Sequence, residues 1–390
     1  SAAVRAAFDS IVAANSYSAT LEDGRLTGPG ADWLEARGRE VDHFLMSERH
    51  GTVQIPAVAA TLYERLAEHG YGPVALEIGP YAARQAGEAL ARGGYPALES
   101  LLTRYPAPPI AFLHLSDESR MAARVVEAGA TLWGLDQEFV FSLPMHLDAL
   151  AEQAESERER AAVQEVRRQM QAGPGGAGGP SLGAADPAAL DSLRAAFAPR
   201  GDTAALGRIE ALRVSNAIYE PYVRNTGSYF ESNTRREQYM KELLIDYLRS
   251  READRGEAPD VFYKHAHTGR RRAGEDYFLT LGAFVAEWSR ARGEESFHAL
   301  ADCHGGRIPE TGQGGGGGCT AWLGGEGSPF TKHLDETEVT VIDLRALRPR
   351  YFEWEFLPDQ LSEAIVAMDA YIAIPDVRPS EPLNPIPRGE

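Results

Sequence analysis

Cysteine is nearly absent from this chain, with Cys303 and Cys319 the two in 390 residues. They lack the CxxC spacing of a zinc site or a dithiol redox centre. Either they close a disulfide around the glycine-rich stretch between them, in an oxidising compartment, or they are free thiols in a reducing one. No apolar run approaches the roughly 20 residues of a membrane span, which excludes a helical transmembrane protein. Basic residues are also scarce: 39 Lys and Arg stand against 57 Asp and Glu, for a net charge of −18. That balance repels phosphate backbones, and the densest basic run, Arg270-Arg271-Arg272, has no interleaved aromatics, so nucleic acid is excluded as a partner. The chain begins at Ser1 rather than Met and carries no charged segment leading into an apolar one. It reads as a processed mature chain or a trimmed one, which leaves the compartment open between cytoplasmic and periplasmic or secreted.

What is present is enough for a large core: 43% of residues are hydrophobic and 25% charged. The expectation is one large α/β domain with a helical insertion. Four short apolar runs each end in ionisable groups. Phe44-Leu45-Met46 leads into Ser47-Glu48-Arg49-His50-Gly51, and Val74-Ala75-Leu76 into Glu77. Thr131 to Leu135 leads into Asp136, and Val261-Phe262-Tyr263 into Lys264-His265-Ala266-His267. In an open parallel sheet such ends lie along one edge, where ligands bind.

The spacing predicts strands over 42–46, 73–78, 109–115 and 130–135, following a polar leader with a turn at Glu22-Asp23-Gly24. Helices alternate with them, one after His50 with Pro56 in its first turn and Gly70 as its cap, another from Tyr81 to about Arg92. The alternation implies right-handed βαβ units and a largely parallel central sheet flanked by helices. Residues 147–171 are strongly charged and read as one long solvated helix, and 172–185 as a Gly/Pro-rich linker. Asp186-Pro187 caps a helix through Phe197, with further helices over 203–224 and 234–252 before a strand at 260–264. Strands are also expected over 277–284, 296–301, 338–344 and 371–374. Residues 1–146 and 256–390 are therefore read as two parts of one α/β core, and 147–255 as an insertion roofing the C-terminal strand edge. The stretch 305–327 contains Gly314 to Gly318 without the order of a phosphate loop, and reads as a surface loop or a lid.

His50, on a strand-to-helix turn, suits a general base near neutral pH, with Glu48 orienting the ring. Glu77 sits among apolar neighbours and suits a proton-transfer partner or an ion pair with an arginine. Asp136 either takes part in chemistry or caps a loop. His265 and His267 alternate, so they share one side, with Lys264 and Ala266 on the other. Two imidazoles there could join a metal site or bracket an anionic intermediate. Arg235 and Arg236 open a helix and could reach a carboxylate on the sheet edge. His114, at the end of the strand expected over 109–115, is a secondary candidate.

Glu48-x-His50-Gly51, Ala75-Leu76-Glu77, Leu132-Trp133-Gly134-Leu135-Asp136, Arg236-x-x-x-Met240 and Val261 to His267, in this order, resemble the erythromycin esterase-like family. The wider superfamily includes haem-binding ChaN-type lipoproteins and Tiki-type proteases. The resemblance implies that His50 is the base that activates water, that Glu48 and Glu77 are the motif glutamates, and that His267 and Arg236 complete the set. Three features depart from the family pattern: Ser47 replaces a usual Gly, the first acid and histidine are two rather than three residues apart, and Lys264-His265-Ala266-His267 stands for His-Asn-x-His.

The leading expectation is a metal-independent hydrolase acting on a small-molecule ester or lactone. His50, Glu48, Glu77 and His267 would be catalytic, and Arg236, His265 and Asp136 would bind substrate. Two alternatives stay open. One is a peptidase, lyase or natural-product tailoring enzyme using a divalent metal on Glu48, His50, Glu77 and His267. The other is a binding protein for haem or a small hydrophobe.

Overall fold

The computed structural model describes residues 1–172, 182–224, 229–256, 258–273, 278–308, 317–319, 321–325 and 327–384. Most of the expected linker at 172–185, and residues 309–316 of the glycine-rich stretch, lie outside the described residues.

Nine short strands form the central sheet. In chain order they are β1 (Ser16–Glu22), β2 (Arg25–Thr27), β3 (His43–Ser47), β4 (Pro73–Leu76), β5 (Thr131–Gly134), β6 (Val261–Lys264), β7 (Ser296–Cys303), β8 (Val339–Asp343) and β9 (Ala370–Ile374). They lie side by side as β2-β1-β8-β9-β7-β3-β6-β4-β5. All neighbours from β9 to β5 run parallel, while β8, β1 and β2 extend the sheet antiparallel. The fold is thus α/β with a mostly parallel central sheet. The chain leaves β3 toward β4 and β5 on one side and returns to β7 on the other. β3 therefore ends at a topological switch point, where a parallel sheet opens a ligand crevice.

Alternation along the strands sends side chains into two helical layers. Phe44, Met46, Leu76 and Phe262 pack into one core with Val58 and Leu62 of α3 (Gln54–Ala67) and Met121 and Val125 of α5 (Ser116–Glu127). Leu45, Ala75 and Tyr263 face the other way, against Met240 and Leu244 of α10 (Tyr229–Arg255) and Val285 of α11 (Leu281–Arg292). Between β5 and β6 run α6 (Leu143–Gln153), α7 (Glu157–Ala172), α8 (Pro187–Phe197) and α9 (Thr203–Arg224), then α10. The helices α6 to α9 bury a cluster of their own around Leu147, Leu193, Phe197 and Leu212.

Several local expectations are corrected. Residues 109–115 form turns, not a strand. Pro106, Pro108 and Pro109 have no N–H to donate, and the β4 flank is already paired with β5. His114 accordingly sits in a turn. Of the strand expected over 277–284, Tyr277 lies outside the described residues and 278–284 do not form one strand: the Thr280 hydroxyl accepts from Ala283 N–H at 3.3 Å and starts α11, leaving Phe278–Leu279 in a two-residue ribbon with Arg272–Ala273. The single helix read over 147–171 is two. The Glu159 carboxylate accepts the N–H groups of Glu155 and Ser156 at 2.8 Å, while Ser156 Oγ accepts Glu159 N–H at 3.1 Å, a reciprocal cap that restarts the chain as α7. The leader is ordered as well. Asp23 and Gly24 take φ of 48° and 71°, which allows the two-residue turn that joins β1 to β2.

Candidate active site

The ionisable groups that follow β3, β4, β5 and β6 meet at one edge of the sheet. Glu77, one residue past β4, is the hub. Its carboxylate accepts from Arg236 Nη2 at 2.8 Å, from the Ala266 N–H at 2.9 Å and from His50 Nε2 at 3.1 Å. His267 Nε2 lies 3.6 Å away and His265 Nδ1 3.7 Å. Burial pushes the Glu77 carboxyl up, but the imidazoles of His265, His50 and His267 more than offset it and hold it well below the usual range. Burial also holds His265 down, as a neutral ring. Arg236 adds a permanent positive charge in direct contact with the Glu77 carboxylate.

His265 and His267 share the α10 side, just beyond the end of β6, with ring centroids 5.5 Å apart. His265 Nε2–H donates to the Leu135 carbonyl at 3.1 Å and its Nδ1 accepts the His267 N–H at 3.2 Å, which assigns the tautomer. His267 Nδ1–H donates to Glu237 Oε1 at 2.5 Å. Arg236 reaches down from the same turn of α10: Nε donates to Asp136 Oδ1 at 2.9 Å and Nη2 contacts Asp136 Oδ2. Arg235 points elsewhere, to the Ala217 carbonyl at 3.0 Å.

Lys264 faces the opposite layer, as alternation requires. Its ammonium contacts Glu48 and donates to Glu118, in the first turn of α5, at 2.7 Å. Burial pulls Lys264 down, and Glu118 and Glu48 hold it above its ordinary value. His50 bridges the two halves of the cluster. Nε2 meets Glu77, and Nδ1 lies 3.5 Å from Glu48 Oε1 without a hydrogen bond. Burial would lower the His50 pKa, but Glu48 and Glu77 outweigh it and raise it. Phe112 stacks on the ring at 3.6 Å between centroids, and holds a φ of 59° that non-glycine residues rarely adopt.

Exposure separates the roles. The His50, Arg236 and His267 side chains are 21%, 21% and 18% exposed. Glu48, Glu77, Asp136, Glu118, Lys264, His265 and Glu237 are buried beneath them. The exposed face of the cluster thus presents two imidazoles and a guanidinium, with carboxylates behind. Glu48, His50 and Glu118 offer donor atoms within 4.8 Å of one another, with the Lys264 ammonium between the two carboxylates. Asp302, Cys303 and Cys319 also come together, but the structure joins the two sulfurs in a disulfide, and Asp302 accepts from Arg49 Nε at 2.6 Å.

A cavity of about 290 Å³ adjoins this edge at Ser47, lined also by Arg271, Leu300, Trp322, Leu323 and Met368. Ser47 Oγ donates to the Ala266 carbonyl, and Trp322 stacks under Arg49, so two lining residues touch the segments that carry the cluster, although no cluster residue itself lines the cavity. The larger groove of about 800 Å³, between α9, α10 and α4 (Pro80–Thr103), is lined by none of the cluster residues.

The structure brings His50, Glu48, Glu77, His267, Arg236, His265 and Asp136 together, and leaves His114 and Arg235 outside. Glu118, Glu237 and Phe112 are additions that sequence reasoning missed. Glu118 looks like an ordinary helix first-turn acid. Glu237 had a signal in its position beside Arg236.

No protein-family model and no curated protein matches the sequence. Solved structures do. A mutant of erythromycin esterase EreC in its open conformation aligns with a TM-score of 0.64 at 15% identity, over 95% of this chain and 100% of that one. A succinoglycan biosynthesis protein aligns at 0.62 and 14%, over 97% and 99%. A Bacillus cereus protein aligns at 0.59 and 12%, again over 97% and 99%. At these identities the likeness is one of architecture: the chain shares the fold of these three proteins.

Proposed function

We propose that this protein is a hydrolase of small-molecule carboxylic esters or lactones, with His50 as the base. The observation that carries the reading is a partly exposed imidazole set between two buried carboxylates, Glu48 and Glu77. Two negative partners make His50 a stronger base than a free imidazole. In the reaction, neutral His50, carrying its proton on Nδ1 toward Glu48, takes a proton from water at Nε2 as the water oxygen bonds to the ester carbonyl carbon. The carbonyl π electrons move to oxygen. Arg236 Nη1 carries no hydrogen bond among the described residues, so its N–H groups are available to that oxyanion. The C–O bond to the leaving alcohol then breaks, and His50 returns the proton to it. The cavity beside Ser47 takes the apolar part of the substrate.

The residues do not fit a divalent metal on Glu48, His50, Glu77 and His267. Glu77 already accepts from Arg236, Ala266 N–H and His50, and Glu48 is paired with the Lys264 ammonium. The reading therefore uses none. Turnover of a panel of esters and lactones, with and without a strong chelator, tests it. Hydrolysis that survives chelation supports it; no turnover of any member, or loss on chelation, contradicts it.

One observation favours a second assignment on the same site. Glu237 holds His267 by Nδ1, leaving Nε2, 3.6 Å from Glu77 Oε1, without a hydrogen bond among the described residues, as a carboxylate orients a catalytic imidazole. In that version His267 takes the proton from water and protonated His50 stabilises the oxyanion.

A further inference from the structure

We infer that Lys264 is the built-in cation of this site: its ammonium stands where a divalent metal would join Glu48, Glu118 and His50, positions Glu48 beside His50, and keeps metal out. Three elements deliver the groups: Glu48 follows β3, Lys264 ends β6 and Glu118 opens α5. All three side chains are 2% exposed or less. The ammonium contacts Glu48 Oε2 and lies 2.7 Å from Glu118 Oε2. Two further donors in this group, Glu118 Oε1 and His50 Nδ1, are buried without a hydrogen-bond partner. The donor atoms of the three residues fall within 4.8 Å of one another, so shifts of a few tenths of an ångström bring them inside the roughly 4.4 Å that two ligands at about 2.2 Å can be apart on one ion.

Charge decides which cation the site takes. With Lys264 present, the two carboxylates keep one net negative charge, and a divalent ion added there would leave a buried net positive charge among unrelieved repulsions. With the ammonium removed, two carboxylates and one divalent ion are neutral, and His50 supplies the nitrogen donor that such ions favour. A lysine at this place thus makes the geometry of Glu48 independent of metal supply. Lys264 is a positioning residue: it touches Glu48 and Glu118, not the reacting atoms.

This inference rests on the proposed reaction only for the purpose of placing Glu48 beside the base, and its test is read without turnover. Chelator-treated full-length wild type, Lys264→Ala and Lys264→Ala with Glu118→Gln are titrated with Mn²⁺ alone, followed by electron paramagnetic resonance and thermal unfolding. The expected result is no Mn²⁺ bound at this site in wild type, one ion per chain with a raised Tm in Lys264→Ala, and loss of that binding when Glu118→Gln is added. If Lys264→Ala does not fold without metal, Mn²⁺ is expected to restore the folded state. Where wild type hydrolyses an ester, Lys264→Ala loses activity and Mn²⁺ returns part of it, a rescue that a merely structural role would not give. Binding of one Mn²⁺ per chain by wild type as tightly as by Lys264→Ala would overturn the inference. So would a Lys264→Ala protein that binds no Mn²⁺, or one that folds neither with nor without it. Absence of esterase activity in every form would count against the proposed function and leave the binding result standing.

Discussion

Arg236, on the inserted helix α10, donates to Glu77, at the tip of β4, across 2.8 Å. This contact ties the insertion to the sheet edge, and Asp136 after β5 completes it through the same guanidinium. Replacing Arg236 by Met leaves two buried carboxylates facing each other. The expected cost is roughly 3 kcal/mol of unfolding free energy in urea, the scale for removing one partner of a buried pair. A loss too small to measure would show that Glu77 does not depend on Arg236.

Glu48→Gln removes one of the two charges that raise the His50 pKa. Burial, which acts in the other direction, then gains ground, and the pKa falls. A base works above its pKa, so the acid limb of the kcat/KM profile moves to lower pH in Glu48→Gln. A limb that stays in place would assign it to a group other than His50.

His298, in the middle of β7, is a neutral buried histidine. Its Nδ1–H donates to the Thr268 carbonyl at 2.6 Å and its Nε2 accepts from Ser296 Oγ at 3.0 Å. Burial takes its pKa down to about 3. Between that value and the unfolded value near 6.5 the unfolded chain binds the extra proton, so stability falls as pH falls through this window. The slope for one such group is at most about 1.4 kcal/mol per pH unit. Urea titrations between pH 7 and about 4 should show it, and His298→Asn should flatten it. An unchanged slope in the variant would contradict the assignment.

Cys303 and Cys319 are paired across a sequence separation of 16, which resolves at the structural level the alternative left open by their spacing. Closing a loop of this length stabilises a fold by about 3 kcal/mol in the chain-entropy account. Cys319→Ser should lower the unfolding free energy by about 2–3 kcal/mol in the absence of reductant, and reductant should remove the difference from wild type. Equal stability in both conditions would mean the thiols are not joined in solution.

Much of this architecture was legible because parallel strands buried on both faces read as short apolar runs. Phe44 to Met46, Val74 to Leu76 and Val261 to Tyr263 each announced a strand, and the charges after them announced the edge where His50, Glu77 and His267 meet. The antiparallel strands β1 and β2 were hidden by polar outward-facing residues, although Asp23-Gly24 marked their turn. Three prolines before Ile110 argued against a strand at 109–115, and the apolar residues there pack as a turn over His50 instead. Tertiary partnerships were the least legible part. Nothing local distinguishes Glu118, which meets Lys264 across 146 positions of sequence, from any acid in a helix first turn.

The central claim is that His50 is the base, and kcat/KM for an ester turned over by wild type, measured alongside His50→Ala and His267→Ala, tests it most directly. The account predicts a loss of roughly 10²–10⁴ in His50→Ala with native circular dichroism, the range for removing a positioned general base, and a smaller loss in His267→Ala. A His50→Ala protein that keeps most of its activity while His267→Ala loses it would contradict the account and move the base to the Glu237–His267 pair.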